Sequence, residues 1–232
     1  MSTLKSRYHG HRFPPEIISY AVWLYHRFTL SFRDVEDLLA ERGVIVSYES
    51  IRRWCLKFGP RYRRSLERRE GRLGDIWHVD EVFITIGGET HYLFRAVDQD
   101  GDVIDILVQR HRSAEAAKGF FRKALQGQGA EPIEVITDKL RSYPAAAREI
   151  VPSAVHSTER YANNRAELSH QPTRQRERQM RRYKSRHQAQ RFLSVHARVG
   201  NLFRYGRHLL RAANHRLFRD RAFATWRQVT CA

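Results

Sequence analysis

The spacing of apolar residues changes near residue 75, and this change constrains the fold more than any other feature of the sequence. From residue 14 to about residue 58, apolar side chains recur at the three- and four-residue intervals of amphipathic helices. From residue 76 to residue 108 they form short runs rich in β-branched and aromatic residues, which the turn sequences Gly87-Gly88 and Asp100-Gly101 separate. The sequence therefore predicts a helical domain followed by a sheet.

Residues 1–60 predict a helix-turn-helix domain with a basic N-terminal arm. A first helix begins near Pro15, because proline is tolerated in the first turn of a helix. Ser31 caps a second helix, with the acid three residues later as its capping partner. A third helix runs from Tyr48 to about Phe58, where Gly59-Pro60 would end it. The third helix carries the cations that we expect to contact DNA, namely Arg52, Arg53 and Lys57.

Residues 75–200 predict an α/β domain in which helices flank a mixed sheet. Three strands in a meander are followed by a helix from Ser113, a short strand from Ile133 to Thr137 and further helices. This order matches the ribonuclease H-like plan, and in such sheets ligands bind beyond the carboxyl ends of parallel strands. Residues 61–74 would link the two domains, and residues 201–232 would form a basic helical tail that packs on the α/β domain.

Formal charge divides the chain into three parts. The net charge of the whole chain is +17, with +7 on residues 1–74, −4 on residues 75–158 and +14 on residues 159–232. An acidic middle between basic flanks is expected of a metal-binding core in a protein that grips DNA. The two cysteines match no zinc spacing, and no apolar stretch approaches the roughly 20 residues that would span a bilayer. We therefore expect an intracellular protein.

Three acidic residues stand where the ligands of a catalytic metal are expected. Asp80 lies inside an apolar strand, Asp138 follows the short strand that ends at Thr137, and Glu167 opens a basic helical stretch. If they converge, their carboxylates could hold two Mg²⁺ ions against a DNA phosphate. Asp138 could instead cap the helix that follows it, and Glu167 could be an ordinary helix glutamate. Strand alternation turns Glu81 to the face opposite Asp80, so we do not expect these two to share a metal.

A run of seven cations within thirteen residues predicts a phosphate-binding surface. Only Glu177 is available in the run to pair with them, although a solvated helix face is the alternative interpretation. Pro172 would break a helix begun near Glu167, so a second helix would restart there. Lys139 is a further expected phosphate contact, and His170 could touch substrate or metal. The seven cations are Arg174, Arg176, Arg178, Arg181, Arg182, Lys184 and Arg186.

Several segments, taken together, resemble a DDE-type transposase of bacterial insertion sequences, most closely the insertion-sequence-six family. The segments that carry the resemblance are Leu30–Val35, Glu41–Gly43, Arg53-Trp54, Trp77–Glu81, Tyr92–Asp98, Thr137–Lys139, Asn163–Glu167 and Arg221–Trp226. The resemblance implies that Asp80, Asp138 and Glu167 are the catalytic acids and that Arg174 contacts DNA. Between Asp138 and Glu167 lie 28 residues, which is fewer than the family usually has, and Glu159 is a weaker rival for the third acid.

The resemblance also implies an activity and its partners. We expect an enzyme that binds the terminal inverted repeats of its element, cleaves their 3′ ends and transfers the strands to target DNA. Two Mg²⁺ ions, for which Mn²⁺ could substitute, would serve both steps, and a homodimer or larger assembly would hold two DNA ends. The expected location is the cytoplasm of a bacterium or archaeon, at the nucleoid. The alternatives are an inactive DNA-binding remnant and another ribonuclease H-like nuclease, such as a resolvase.

Overall fold

Helices occupy both ends of the chain and a sheet occupies its middle in the computed structural model, which describes residues 7–138, 140–159, 163, 170–205 and 210–231. The helices are α1 (Pro15–Arg27), α2 (Phe32–Ala40), α3 (Tyr48–Glu70), α4 (Ala114–Gln128), α5 (Ser142–Ile150), α6 (Gln171–Gln179), α7 (Arg186–Phe203) and α8 (Ala212–Cys231). The strands are β1 (Ile76–Ile86), β2 (Glu89–Val97), β3 (Val103–Gln109), β4 (Glu134–Thr137) and β5 (Val155–Ser157).

The five strands form one mixed sheet in the order β3-β2-β1-β4-β5. Strands β1 to β3 are antiparallel neighbours joined by tight turns, and the positive φ angles of Gly87 and Gly88, 58° and 89°, explain why glycine occupies the first turn. Strands β4 and β5 run parallel to β1, on its other side. A meander extended by parallel strands, with helices between them, confirms the predicted ribonuclease H-like α/β fold.

One edge of β1 is paired with β2 along almost its whole length, whereas β4 pairs with only part of the other edge. The unpaired part of that second edge is where a site can form. The short strand β4 pairs with only the first four residues of β1, and the last pair is Val79 with Thr137. Further along, α6 and the turn after it cover the open edge: Thr85 N donates to Glu177 Oε1 at 2.7 Å, and Tyr183 bridges to Ile86. Between these two covered parts, at the carboxyl end of β4, no strand among the described residues pairs with this edge of β1.

One face of the sheet holds the apolar core of the α/β part. Trp77, Val79 and Phe94 are at most 1% exposed and pack with the aromatic and alanine side chains of α4 and α5. Phe94 stacks on Phe120 with ring centroids 6.0 Å apart. Odd-numbered residues of β1 face this core because strand side chains alternate between faces. The core thereby fixes the register that sets even-numbered residues on the opposite face.

Helix α7 covers β3, the strand at the edge of the sheet. Val108 N donates to Gln190 Oε1 at 2.8 Å, and Val103 N donates to Asn201 Oδ1 at 2.8 Å. Arg198, 8% exposed, donates to the carbonyl oxygens of Val103 and Ile104 at 3.0 and 2.7 Å. Helix side chains thus satisfy backbone groups that would otherwise invite pairing with another strand.

We expect the same arginine to contribute strongly to the stability of the folded protein. Arg198 also donates to Glu70 Oε2 at 3.0 Å and to Glu67 Oε1 at 3.3 Å, and burial raises the pKa of Glu70. Because Arg198→Met would leave that carboxylate buried without its cation, we expect it to lower the free energy of unfolding by about 3–5 kcal/mol. Urea denaturation of both proteins measures the difference. The exposed Arg186→Met on the same helix is the control, with an expected change within about 0.5 kcal/mol, and equal midpoints would contradict the prediction.

The N-terminal helices and the C-terminal helix form a separate unit, residues 1–66 with 202–232. Tyr8 links the parts of this unit: its hydroxyl lies 2.6 Å from that of Tyr62 and donates to the carbonyl oxygen of Thr230. Trp226 of α8 packs edge-on against Tyr62, with ring centroids 5.4 Å apart. We predicted that this tail would pack on the α/β domain, whereas these contacts place α8 against the N-terminal helices. Aromatic partners on the first and third helices supply the apolar surface that α8 buries.

Helix α3 differs from its prediction. It continues through Pro60 to Glu70, so the predicted stop at Gly59-Pro60 is wrong. Phe58, Tyr62 and Leu66 recur every four residues and are at most 1% exposed. Burying these side chains outweighs the roughly 3 kcal/mol that an interior proline costs.

The predicted cap of α2 is confirmed, since Asp34 N donates to Ser31 Oγ and Ser31 N donates to the Asp34 carboxylate. Within the described residues, each helix is too short or too polar to cross a bilayer.

Candidate active site

Two of the predicted acids come together where β1 and β4 run side by side. Val79 and Thr137 form the last pair between these parallel strands, so Asp80 and Asp138 are the next residue on each. One carboxylate oxygen each from Asp80, Asp138 and Glu81 lie within 4.8 Å of one another. The carboxyl end of β4 therefore carries a cluster of three acids, at the place where open α/β sheets bind ligands.

The presence of Glu81 in this cluster corrects the sequence analysis. Strand alternation does set the Cβ atoms of Asp80 and Glu81 on opposite faces. However, Asp80 Oδ1 accepts a hydrogen bond from Glu81 N at 2.8 Å, so its carboxylate lies along the open strand edge instead of standing away from it. Since β4 has ended at this point, both carboxylates reach the same gap. The signal that could have found Glu81 is the shortness of the fourth strand, which ends its pairing with β1 at Val79 and leaves the strand edge beyond that residue unpaired by β4.

The two aspartates are held by neighbours on different elements. Asp80 is 15% exposed at its side chain, and His170 Nε2, just before α6, lies 3.2 Å from its Oδ2. Asp138 is 41% exposed, and its Oδ1 accepts from Leu140 N at 3.0 Å. This turn bond resembles the cap that sequence reasoning left open, but the N-cap position of α5 is Arg141. The other oxygen, Oδ2, lies 3.6 Å from Arg112 Nη2 and faces the rest of the acid cluster.

Glu81 sits in a closed polar network behind the aspartates. Its side chain is 2% exposed, accepts a hydrogen bond from the Tyr143 hydroxyl and forms an ion pair with Arg112. Burial raises the pKa of Glu81, and the bond from Tyr143 and the charge of Arg112 oppose that rise. Burial and the adjacent carboxylate also raise the pKa of Tyr143 well above its usual value, which keeps its hydroxyl protonated as a donor. Sequence reasoning gave no role to Arg112 or Tyr143.

The third predicted acid, Glu167, lies outside the described residues, and so does Lys139. The described residues on both sides of Glu167 contact β1 beside the cluster. Asn163 Nδ2 donates to the carbonyl oxygen of Val79 at 2.9 Å, and His170 reaches Asp80. The rival acid Glu159 is exposed and is not part of the described cluster. Helix α6 has Pro172 in its first turn, which confirms the predicted restart.

The basic run divides into exposed and buried members. Arg176 is 1% exposed and its guanidinium lies 4.9 Å from the centre of the Phe192 ring, so it is not available to DNA and its prediction is wrong. It faces inward because it lies three residues after Thr173, on the same buried face of α6. Arg181 and Arg182 follow the end of α6 with φ angles of 50° and 69°. The other members are exposed, namely Arg174, Arg178, Arg181, Arg182, Lys184 and Arg186.

The cations predicted on the third helix are exposed as well. Arg52 Nε lies 2.8 Å from Glu49 Oε2, and Arg53 Nε lies 3.1 Å from Glu49 Oε1. Lys57 Nζ lies 2.7 Å from His11 Nε2 in the N-terminal arm. Surface ion pairs of this kind contribute at most about 1 kcal/mol. Phosphates could therefore replace these partners at little cost.

The donor atoms of the acid cluster suit a hard divalent ion. Mg²⁺ prefers carboxylate oxygens at about 2.0–2.1 Å, and bringing several carboxylates together is unfavourable unless a cation offsets their repulsion. Asp80 and Asp138 present oxygens to a common gap that solvent reaches, whereas Glu81 is enclosed by its donors. These two aspartates fit the role of primary ion ligands. A ribonuclease H-like sheet with such a pair of acids defines a divalent-metal-dependent polynucleotidyl transferase.

Comparisons with known proteins identify the group within this class. The family model DDE_Tnp_IS240, described as a DDE domain, matches residues 74–206. A transposase for the insertion sequence-like element IS431mec of Staphylococcus aureus is 32% identical over 164 residues, which are 68% of this chain and 73% of that protein. A transposase for IS257 in transposon Tn4003, also from Staphylococcus aureus, is 30% identical over the same shares. The chain belongs to the DDE transposases of the insertion-sequence-six family.

Two solved structures are also similar to this chain. The HTLV-2 integrase catalytic core domain in complex with magnesium is 13% identical, covers 62% of this chain and 93% of that one, and has a TM-score of 0.41. The catalytic core domain of BIV integrase is 10% identical, covers 57% of this chain and 85% of that one, and has a TM-score of 0.39.

Proposed function

We propose that this protein cleaves the 3′ ends of an insertion sequence and joins them to target DNA with Mg²⁺ at the acid cluster. The observation that carries the proposal is the pairing of Asp80 and Asp138 at the ends of adjacent parallel strands. Two Mg²⁺ ions about 3.5–4 Å apart would stabilise the attacking and leaving oxygens of an in-line displacement at phosphorus, and Mn²⁺ could replace them. Asp80 and Asp138 would hold these ions, and His170 would fix the orientation of the Asp80 carboxylate.

Glu167 is our choice for the third ligand, and chain geometry supports it. Asn163 and His170, which flank it, both contact β1 within one residue of Asp80. Only two residues lie between Glu167 and His170 along the chain, and the chain advances at most about 3.8 Å per residue, so this connection is short. A glutamate side chain adds further reach toward the cluster. The shorter spacing between the second and third acids is compatible with this role, because shortening a loop costs little free energy.

The substrate that we propose is double-stranded DNA, gripped at two places. Arg52, Arg53 and Lys57 on α3 would read the terminal inverted repeats, in the manner of a recognition helix. The exposed cations from Arg174 to Arg186 would hold phosphates near the cleavage site. Lys139, next to Asp138 in the sequence, would add one more phosphate contact. We place two or more copies in the active assembly, since two DNA ends must be joined together, and we place the protein in the cytoplasm with its chromosomal substrate.

The proposal is tested by a cleavage and joining assay. The full chain is incubated with a labelled duplex that carries the terminal repeat of its element, with target DNA and with Mg²⁺. We expect a nick at the 3′ end of the repeat and then a joined product, and chelation of the ion should stop both. Binding without a nick would favour an inactive remnant, and cleavage of a four-way junction without joining would favour a resolvase.

The exposed turn after α6 yields a quantitative prediction on DNA affinity. Arg181 and Arg182 are adjacent and exposed, and both have left-handed backbone angles. Together with Arg178 and Glu177 they line an open pocket. If each holds one phosphate, Arg181→Gln with Arg182→Gln should reduce the slope of log affinity against log salt by about 2. Fluorescence anisotropy at several salt concentrations measures it. The variant Arg216→Gln with Arg219→Gln, on exposed positions of α8, serves as the matched control, and an unchanged slope in the first variant would contradict the prediction.

A further inference from the structure

Arg112 is a cation inside the acid cluster. The proposed chemistry gives this arginine no role, and the apolar core does not include it. It lies in the connection between β3 and α4, and its side chain is 34% exposed. One terminal nitrogen, Nη2, contacts Glu81 Oε1 and also lies 3.6 Å from Asp138 Oδ2. The guanidinium therefore bridges a buried carboxylate and a solvent-accessible one. The second of these is the aspartate that we assign to the divalent ion.

Glu81 is built to keep Arg112 in this position. Its two oxygens are both engaged, one by Arg112 and the other by the hydroxyl of Tyr143 on α5. Tyr143 is fully buried in the apolar core, between Phe94 and Phe121. A rigid core residue thus fixes Glu81, and Glu81 fixes the guanidinium. Each oxygen keeps a second lone pair, but both oxygens are already engaged and the side chain is 2% exposed, so Glu81 is a poorer ligand for an ion than the two aspartates.

We propose that Arg112 is a resident cation that neutralises Asp138 in the ion-free protein and competes with the divalent ion for that carboxylate. Glu81 and Tyr143 are positioning residues that hold Arg112 beside Asp138 and do not bind the ion themselves. The inference rests on the proposed function, because it takes Asp80 and Asp138 as the ion ligands.

Electrostatics gives the direction of the effect. Three carboxylates within 4.8 Å repel one another, and a single guanidinium between two of them offsets part of that repulsion. A divalent ion on Asp138 supplies this charge itself and repels the guanidinium close by. Arg112 has one-third of its side chain in solvent, so it can retain Glu81 while its contact with Asp138 opens. Ion binding therefore has to displace an existing attraction, which weakens the apparent affinity for the ion.

Ion affinity in the absence of DNA measures the competition. Mn²⁺ is titrated into the full chain by isothermal titration calorimetry, with Arg112→Gln compared to the unmodified protein. Because one nearby charge shifts a carboxylate equilibrium by about one to three powers of ten, we expect Arg112→Gln to bind Mn²⁺ about tenfold more tightly. Arg110→Gln is the matched control, since this neighbouring arginine is exposed and pairs with Glu89 at 3.4 Å; its affinity should not change. Equal or weaker binding by Arg112→Gln would overturn the inference.

A second variant separates positioning from direct ligation by Glu81. Glu81→Gln leaves Arg112 with Asp138 as its only acidic partner in the cluster, so Mn²⁺ should bind several-fold more weakly. In the Arg112→Gln background the same change should weaken Mn²⁺ binding less, because there it removes only the nearby charge of Glu81 and no longer leaves Arg112 to Asp138 alone. An equal or larger loss in the double variant would make Glu81 an ion ligand and overturn its positioning role. If Arg112→Gln does not fold, Arg112→Lys gives the same test, because the lysine side chain is shorter and its ammonium ends short of the position that Nη2 takes between the two carboxylates. This variant should also tighten binding.

The proposed function fails in a distinguishable way. If Asp80→Asn and Asp138→Asn bind Mn²⁺ as tightly as the unmodified protein does, the ion site itself is elsewhere, whatever Arg112→Gln shows. If those two variants lose the ion and Arg112→Gln does not gain affinity, only the inference about Arg112 is overturned.

Discussion

Asp80→Asn is expected to lower the rate of strand cleavage by at least about a hundredfold while DNA binding stays intact. Outer residues that merely orient a metal ligand already cost about 10- to 100-fold when they are replaced, and loss of a direct ligand should cost more. Asparagine matches aspartate in shape, and its amide oxygen can still accept the bond that Glu81 N now donates to Asp80 Oδ1. The change therefore removes the negative charge with little disturbance of the strand.

The measurement pairs cleavage of a labelled repeat-end duplex with binding of the same duplex by fluorescence anisotropy. Asp100→Asn is the matched control: the residue is exposed in the turn between β2 and β3, and both activities should be unchanged. A partial recovery of Asp80→Asn at high Mg²⁺ or Mn²⁺ concentration would support a ligand role, because excess ion compensates for lower affinity. Cleavage at the normal rate would remove Asp80 from the mechanism.

The positions of the two aspartates could be predicted because they depend on local rules. The sequence near residue 80 shows a strand pattern that contains a single aspartate. The sequence near residue 138 shows an aspartate directly after a short β-branched run. Parallel strands with a crossover between them bring their carboxyl ends to one edge of a sheet. The register of the three-stranded meander also follows from a local rule, because each glycine-containing turn fixes how its two flanking strands pair.

Other features depend on contacts that local patterns do not contain. Pro60 ends a helix by propensity, but the burial of Tyr62 and Leu66 beyond it keeps α3 continuous. Arg176 is one charge in a basic run until α6 docks and turns it toward Phe192. In each case tertiary packing outweighs a local preference, and the sequence carries only the preference.

Glu81 and Arg112 show the same limit within the site. Alternation along a strand correctly separates the Cβ atoms of Asp80 and Glu81, but it cannot show that β4 ends before both of them. Arg112 is 31 residues from Glu81 in sequence and meets it only because the connection between β3 and α4 closes over β1. Direct ligands sit on regular elements and could be proposed from the sequence, whereas the residues that surround them needed coordinates.

The second large effect concerns the third acid. Glu167→Gln is expected to lower cleavage by at least about a hundredfold, as loss of a direct ion ligand should. The reason is the anchoring of its neighbours: Asn163 holds the carbonyl oxygen of Val79, and His170 holds Asp80, on either side of it. Glutamine keeps the length and helix preference of glutamate, so a loss would reflect charge and not folding. Cleavage of the labelled repeat-end duplex and Mn²⁺ titration are both measured, and both should be weakened.

Glu159→Gln is the matched control, because it makes the same chemical change eight residues earlier, at an exposed position outside the described cluster. We expect it to cleave and to bind Mn²⁺ as the unmodified protein does. If the results of the two variants were reversed, Glu159 would become the third ligand, and the shorter spacing to Glu167 would be accidental. If neither variant changed cleavage, the ions would be held by Asp80 and Asp138 with Glu81, and Arg112 would then have to leave Glu81 before catalysis. The Mn²⁺ affinity of the Glu81→Gln and Arg112→Gln double variant decides between that arrangement and ours.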